Sequence, residues 1–195
     1  MTPIIVWFRQ DLRLLDNPAL FHGAQSGAPI IPLYIFDDKD PWAPGGASRW
    51  WLHKSLEAFQ KEIPLILRRG NPKDILREII EKTGADKIYW NRLYEPYPKM
   101  RDERIKSELK SLGIQVQSFN SALLIEPWEH LKSDGTPYQV FTPFWKALLG
   151  KGHPPKPLGC PENLKFYEGK IDSEDLNAWG FLPERPNWAR GFEDF

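Results

Sequence analysis

Cysteine is almost absent from this chain: Cys160 stands alone, so neither an internal disulfide framework nor a multi-cysteine metal site can form. That scarcity fits a reducing compartment, and the cytoplasm is the expected location. An excess of either charge is missing too. Lys and Arg number 26, as do Asp and Glu, so the formal net charge is zero and no overall field favours nucleic acid, although a local basic face stays open. Neither a signal peptide nor a run of about 18 apolar residues is visible, which argues against secretion and membrane spanning. The sequence also lacks GxGxxG and GxxxxGK[ST] patterns, which argues against a dinucleotide fingerprint and a P-loop. The histidines His22, His53, His130 and His153 have no ligand-like mutual spacing, and no Ser-His-Asp or Cys-His arrangement stands out. Neither a catalytic residue nor a metal ligand is therefore expected.

What is abundant is apolar and aromatic. Hydrophobic residues make up 41% of the 195, enough to fill the core of one sizeable domain with an appendage. The chain also holds nine Trp, rigid surface suited to packing, to docking a neighbouring domain or to stacking on flat ligands.

The organising stretch is Ile4-Ile5-Val6-Trp7-Phe8-Arg9-Gln10-Asp11-Leu12-Arg13, followed by Asp16-Asn17-Pro18. An apolar run, a charged turn and a helix-start signal succeed one another there. Five β-type runs, at residues 4–8, 30–36, 65–69, 87–90 and 114–119, alternate with helical segments at 17–25, 47–62, 72–83 and 99–112. In the second helix Trp51, Leu52, Leu56 and Phe59 lie at helical spacing, and in the third Ile75, Leu76, Ile79 and Ile80 face inward before Gly84 stops it. The alternation predicts an α/β fold: a Rossmann-like, doubly wound, five-stranded parallel sheet with helices on both faces, plus an extended Pro-rich C-terminal connector. Residues 1–130 form the α/β unit in this reading, residues 131–149 a short helical extension containing an aromatic helix, and residues 150–195 the connector. That connector keeps Trp179, Phe181, Trp188 and Phe192 among other large apolar residues, too many for a solvated tail, so it needs a surface to lie on.

Three constellations could carry chemistry. The turn after the first strand holds Arg9, Asp11 and Arg13, either as an internal salt-bridge network or as the cationic wall of a pocket. The turn after the fourth strand holds Asn91, Arg92, Tyr94 and Glu95; in a doubly wound sheet the two turns converge across the switch point. Glu95 either caps the next helix or pairs with an Arg, or else accepts hydrogen bonds from a heterocycle. The third is Ser48-Arg49-Trp50-Trp51, in which adjacent tryptophans point in different directions, so that one can enter the core while the other stays available to a flat ligand or a neighbouring domain; core or domain packing of both is the expected outcome.

These residues resemble the DNA photolyase and cryptochrome family. The resemblance is carried by Val6 to Leu14 with Asp16-Asn17-Pro18-Ala19-Leu20, Gly46 to Leu56, Trp90-Asn91 with Tyr94-Glu95-Pro96, and Tyr138 to Lys146. It continues in Trp179-Gly180-Phe181-Leu182-Pro183 and Pro186-Asn187-Trp188-Ala189, so it spans nearly the whole chain. Its Trp-Trp helix and Tyr-Glu-Pro turn are similar to those of bacterial cyclobutane pyrimidine dimer photolyases related to plant cryptochromes.

The resemblance implies an amino-terminal, light-harvesting α/β domain of a deoxyribodipyrimidine photolyase, or of a cryptochrome-type blue-light receptor. The antenna chromophore implied is methenyltetrahydrofolate first and a deazaflavin second, with an empty site as the remaining possibility. Arg9, Asp11, Arg49, Trp50, Asn91, Tyr94 and Glu95 are its expected contacts. Leu93 stands where deazaflavin-binding relatives carry an acid, and Tyr97-Pro98 where a folate-binding bacterial type carries Asn-Glu. FAD, the lesion pocket and the binding of damaged DNA belong to a C-terminal helical domain not contained in these residues, and this chain alone is expected to be non-catalytic. The aromatic connector stopping at Glu193-Asp194-Phe195 reads as a truncation, and the domain that continues it is the expected partner. That partner would sit on an exposed aromatic face along residues 150–195. Two other classes stay open, an adenylating or nucleotide-binding enzyme and a stand-alone interaction module.

Overall fold

The computed structural model describes residues 1–192; Glu193, Asp194 and Phe195, on which the truncation reading rests, lie outside the described residues. Five strands form one sheet: β1 (Ile4–Phe8), β2 (Ile30–Phe36), β3 (Ile66–Arg69), β4 (Lys87–Asn91) and β5 (Gln115–Phe119). Their order is β3-β2-β1-β4-β5 and every pair is parallel, the expected doubly wound arrangement with β1 at the centre.

The alternation of side chains along β1 divides the core. Ile4, Val6 and Phe8 pack on one face with Ala19 and Leu20 of α1 (Pro18–Gln25) and Leu56 and Phe59 of α2 (Gly46–Glu62). Ile5 and Trp7 pack on the other with Ile75, Leu76 and Ile79 of α3 (Pro72–Thr83) and Ile105 and Leu109 of α4 (Pro96–Ser111). Because both faces are covered, β1 and β2 are buried at every position, which is why they read as unbroken apolar runs. A fully buried Leu or Ile of this kind contributes roughly 1.5–3 kcal/mol.

Local chemistry sets the boundaries. Asn17 caps α1, its side chain accepting from the Leu20 N–H, with Pro18 in the first turn. Asn71 and Pro72 do the same for α3, which ends at Gly84 in the left-handed conformation (φ 69°). Helix α4 starts at Pro96, earlier than the expected residue 99, because Pro is well tolerated in a first turn, where backbone N–H groups have no intrahelical partner. In α2 the inward positions are His53, Leu56 and Phe59, with Leu52 half-buried, whereas Trp51 is 68% exposed. Neither tryptophan is buried in the core of this domain, so the expectation of core packing for both is corrected. Trp50 is only half-buried, because the buried i, i+3, i+6 stripe begins at His53.

The connector lies on the domain itself. Leu158 exchanges backbone and side-chain hydrogen bonds with Asp16, and the chain around Phe166 forms a parallel bridge to Ile30. Ser173 and Glu174 then pair with the exposed edge of β3 through Leu67 and Arg69. A short 3-10 turn, Leu176–Trp179, carries Trp179 onto Phe36, where Phe181 joins it. Trp179 and Phe181 are buried, so among the connector's described aromatics only Trp188 and Phe192 retain the expected exposure. Helix α5 (Phe141–Leu149) sits outside the sheet, in the 131–149 segment.

Candidate functional site

The turns after β1 and β4 meet as the topology requires, and their own side chains fill the meeting point. The Asp11 carboxylate accepts from the Arg9 backbone N–H at 2.7 Å and from Asn91 Nδ2 at 2.5 Å. Asn91 also donates to Asn17 Oδ1 at 2.8 Å and accepts from the Ala19 N–H, while Asn17 donates to the Asp11 and Arg13 carbonyls. Asp11, Asn17 and Asn91 are buried, so their polar atoms need these partners and hold the turns rigidly together.

Arg9 has two faces. Its Nη1 pairs with Asp102 at 2.7 Å, its Nη2 donates to the Asn91 carbonyl, and the guanidinium lies 4.6 Å above the ring of Trp7. Its Nε–H, fully buried, has no partner among the described residues. Arg101 from α4 joins the group by bonding Asp102 and Asp37 at 2.9 and 3.2 Å.

With the β1–β4 side closed, the space at the carboxyl ends of the strands opens between β1 and β2, beneath the start of α2. This cavity has a volume of about 710 Å³, and Arg9 lies in its wall with Tyr34, Asp37, Trp42, Trp51 and Arg101. Trp42 and Trp51 are largely exposed and stand free to lie against a ring, while Tyr34 is buried. Burial, reinforced by the charge of Asp11, pushes the Tyr34 phenol above its ordinary range, so it stays a neutral hydroxyl. Leu93 supplies an apolar patch to the same wall. A cavity of this size, with aromatic sides and a few fixed polar groups, suits a flat, polycyclic ligand.

The expected contacts do not all converge there. Arg9 lines the cavity, whereas Asp11 and Asn91 are engaged in the buried network behind it. Arg49 donates from Nε to the Pro44 carbonyl at 2.8 Å and lies over Phe181, outside the cavity wall. Trp50 lines a separate open groove with Trp51, Trp188 and Phe192, of about 970 Å³. Tyr94 donates to Glu126 at 2.9 Å and borders a smaller cleft of about 280 Å³ with Trp90, Lys106 and Trp128; burial raises its phenol pKa. Glu95 is exposed; its side chain accepts from the Tyr94 N–H beside it and its carbonyl from the Lys99 N–H.

Sequence reasoning missed Tyr34, Asp37, Trp42 and Arg101, and named Trp51 only as one of two adjacent tryptophans of which Trp50 was the expected contact. The signal for Tyr34 and Asp37 was their place at the end of a central strand, where open α/β sheets bind ligands. Arg101, distant along the chain and midway through α4, was legible only from the fold. Among the described residues no group of His, Cys, Asp and Glu is arranged to hold a metal ion.

Fold and site together define a doubly wound α/β domain with a ring-sized cavity at the carboxyl ends of its strands. The chain belongs to the DNA photolyase family, whose profile matches residues 4–162. It is 43% identical over 197 residues to the deoxyribodipyrimidine photo-lyase of Agrobacterium fabrum, covering 98% of this chain and 41% of that protein. It is 38% identical over 169 residues to Cryptochrome-1 of Arabidopsis thaliana, covering 82% of this chain and 25% of that protein. The solved bacterial class III photolyase from Agrobacterium tumefaciens superimposes with a TM-score of 0.92 at 42% identity, over 100% of this chain and 41% of that one. The chain thus spans between a quarter and about two fifths of the length of these relatives and corresponds to the family's amino-terminal α/β domain. The family binds an antenna chromophore and FAD. No helix among the described residues is long and apolar enough to cross a membrane.

Proposed function

We propose that this chain is the light-harvesting portion of a longer deoxyribodipyrimidine photolyase. Residues 1–130 form its antenna domain, 131–149 a helical extension and 150–195 the connector to a helical FAD domain. The longer protein repairs cyclobutane pyrimidine dimers in DNA with light, by taking the damaged nucleotide out of the stack. The cytoplasm is the proposed compartment.

The observation that carries the chromophore assignment is the cavity beneath α2, walled by Arg9, Asp37 and Arg101 and by the exposed rings of Trp42 and Trp51. The residues present therefore fit a flat chromophore with hydrogen-bonding edges. Bound there, it would absorb light and pass the excitation to the flavin. The protein's part is to hold it: Arg9 donates, Asp37 accepts, and Trp51 and Trp42 cover its rings and exclude water. Methenyltetrahydrofolate is the first ligand proposed, because a pterin edge offers donors to Asp37 and acceptors to Arg9. An apolar Leu93 in the wall, where deazaflavin-binding relatives carry an acid, ranks deazaflavin second.

Titration of the purified chain with methenyltetrahydrofolate, followed by its near-ultraviolet absorbance and by quenching of tryptophan emission, tests this. Saturable binding is expected, and Trp51→Ala should weaken it about tenfold through loss of roughly 1–1.5 kcal/mol of ring contact, with thermal stability unchanged because Trp51 is exposed. Absence of binding to folate and deazaflavin alike would remove the antenna role.

A further inference from the structure

The smaller cleft beside Tyr94, of about 280 Å³, lies at the carboxyl ends of β4 and β5. Arg92 of the turn after β4, Lys106 of α4 and Ser118 of β5 meet in its wall. The Ser118 hydroxyl accepts from both cations, from Arg92 Nη1 at 3.2 Å and from Lys106 Nζ at 3.3 Å. Two positive heads thus converge on one neutral oxygen, and their mutual repulsion is relieved when an anion joins them.

The carboxylates nearby are otherwise engaged or stand apart. Glu126 is held by Arg92 and by the Tyr94 hydroxyl, and Asp102 by Arg9 and Arg101. Glu103, also in the wall, is exposed, and Lys106 has no carboxylate at ion-pair distance among the described residues. The Lys106 amine is half-buried; burial, with the charges of Lys110 and Arg92 added, lowers its pKa. The remaining wall is largely aromatic. Trp90 is buried, whereas Trp128 is 56% exposed, with its ring centre 5.7 Å from the Arg92 guanidinium.

We propose that this cleft binds a nucleoside monophosphate, independently of the antenna chromophore. The phosphate bridges Lys106 and Arg92, the base stacks on Trp128, and Glu103 accepts from an amino group of the base. The volume lies near the lower end of the roughly 300–1,000 Å³ typical of small-molecule sites, which suits one ring system carrying one anionic group. A nucleic-acid strand offers the same chemistry, but a chain of zero formal net charge has no overall field to gather a polyanion. Leu93 lines both this cleft and the antenna cavity, so competition between the two ligands belongs in the test.

Titration of the isotope-labelled 195-residue chain with adenosine 5′-monophosphate, followed by its amide and indole NMR signals, provides that test. The Lys106 and Ser118 amides and the Trp128 indole should shift together and saturate, with a Kd of about 1 mM or lower. Adenosine and inorganic phosphate should each bind at least tenfold more weakly. Lys106→Gln should weaken nucleotide binding about tenfold, and Trp128→Ala, at an exposed position, by a similar factor with the folded spectrum retained. Absence of a saturable shift at about 10 mM, or equal affinity in the native chain and a folded Lys106→Gln chain, would overturn the proposal. So would a single-stranded oligonucleotide held through Lys106 at least tenfold more tightly than the mononucleotide. Displacement of the nucleotide by methenyltetrahydrofolate would overturn it too, by making the cleft part of the antenna site. Failure of the chain to bind folate or deazaflavin, which removes the antenna role, leaves each of these outcomes as it stands.

Discussion

Arg9 shows how one side chain serves both readings that the sequence left open. Its Nη atoms belong to the internal network with Asp102 and Asn91, and its side chain also forms part of the cavity wall. Breaking a buried ion pair by removing one partner costs about 3–5 kcal/mol, and here the cost falls near the lower end because Arg101 still holds Asp102. Arg9→Met should therefore lower unfolding stability by about 3 kcal/mol in urea titrations; a loss below about 1 kcal/mol would mean that the Asp102 contact stabilises little. His53 makes a second prediction. Burial lowers its pKa, with Glu57 opposing the shift, and its Nδ1 has no partner among the described residues. The folded state therefore prefers the neutral imidazole, while the unfolded chain takes up a proton below about pH 6.5. Stability should be full above pH 6.5 and decline as the pH falls from there toward the folded-state value. A urea midpoint that drops between pH 7 and 5 in the native protein, and drops less in His53→Leu, is the expected result. Neither effect was legible in the sequence, where His53 was one of four histidines without a pattern and the partner of Arg9 lay far along the chain.

At the scale of elements, legibility followed periodicity. The strands were readable because β1 and β2 are covered on both faces, and α3 because its capping Asn71, Pro72 and terminal Gly84 announce themselves. The direction of Trp50 and Trp51 was not readable, since several helical stripes of α2 are apolar and only the packed sheet selects among them. The connector was legible as a segment in need of a surface, but the surface it chose was not. Trp179 illustrates the choice: it rests against Tyr34, Phe36 and Phe181, and its Nε1 donates to Glu174 at 2.9 Å. Trp179→Ala should cost about 3–5 kcal/mol and expose the connector. Limited proteolysis should then cut between residues 150 and 175 well before the domain itself is degraded. Unchanged resistance would show that the edge pairing of Ser173 and Glu174 suffices without the indole.

For the molecule as a whole, the cavity at the sheet's end joins fold to function. A ligand that binds only the folded state adds RT ln(1 + [L]/Kd), about 2.7 kcal/mol at a hundredfold excess over Kd. Methenyltetrahydrofolate at that excess should raise the unfolding free energy by about this amount, and the gain should shrink in Trp51→Ala at the same ligand concentration. No thermal shift in either protein would contradict binding in this cavity. The class of fold, the family and the convergence of the β1 and β4 turns were determined by the sequence alone, because βα alternation and strand-end position are local, periodic signals. Only the tertiary structure decided that Asp11, Asn17 and Asn91 close the β1–β4 side and leave the opening between β1 and β2. It alone decided that Tyr34, Asp37, Trp51 and Arg101 join Arg9, and that α5 buries none of its apolar residues. Each of these depends on which distant side chains satisfy a buried polar group or cover an apolar one, and that is settled by contacts across the sheet rather than by neighbours along the chain.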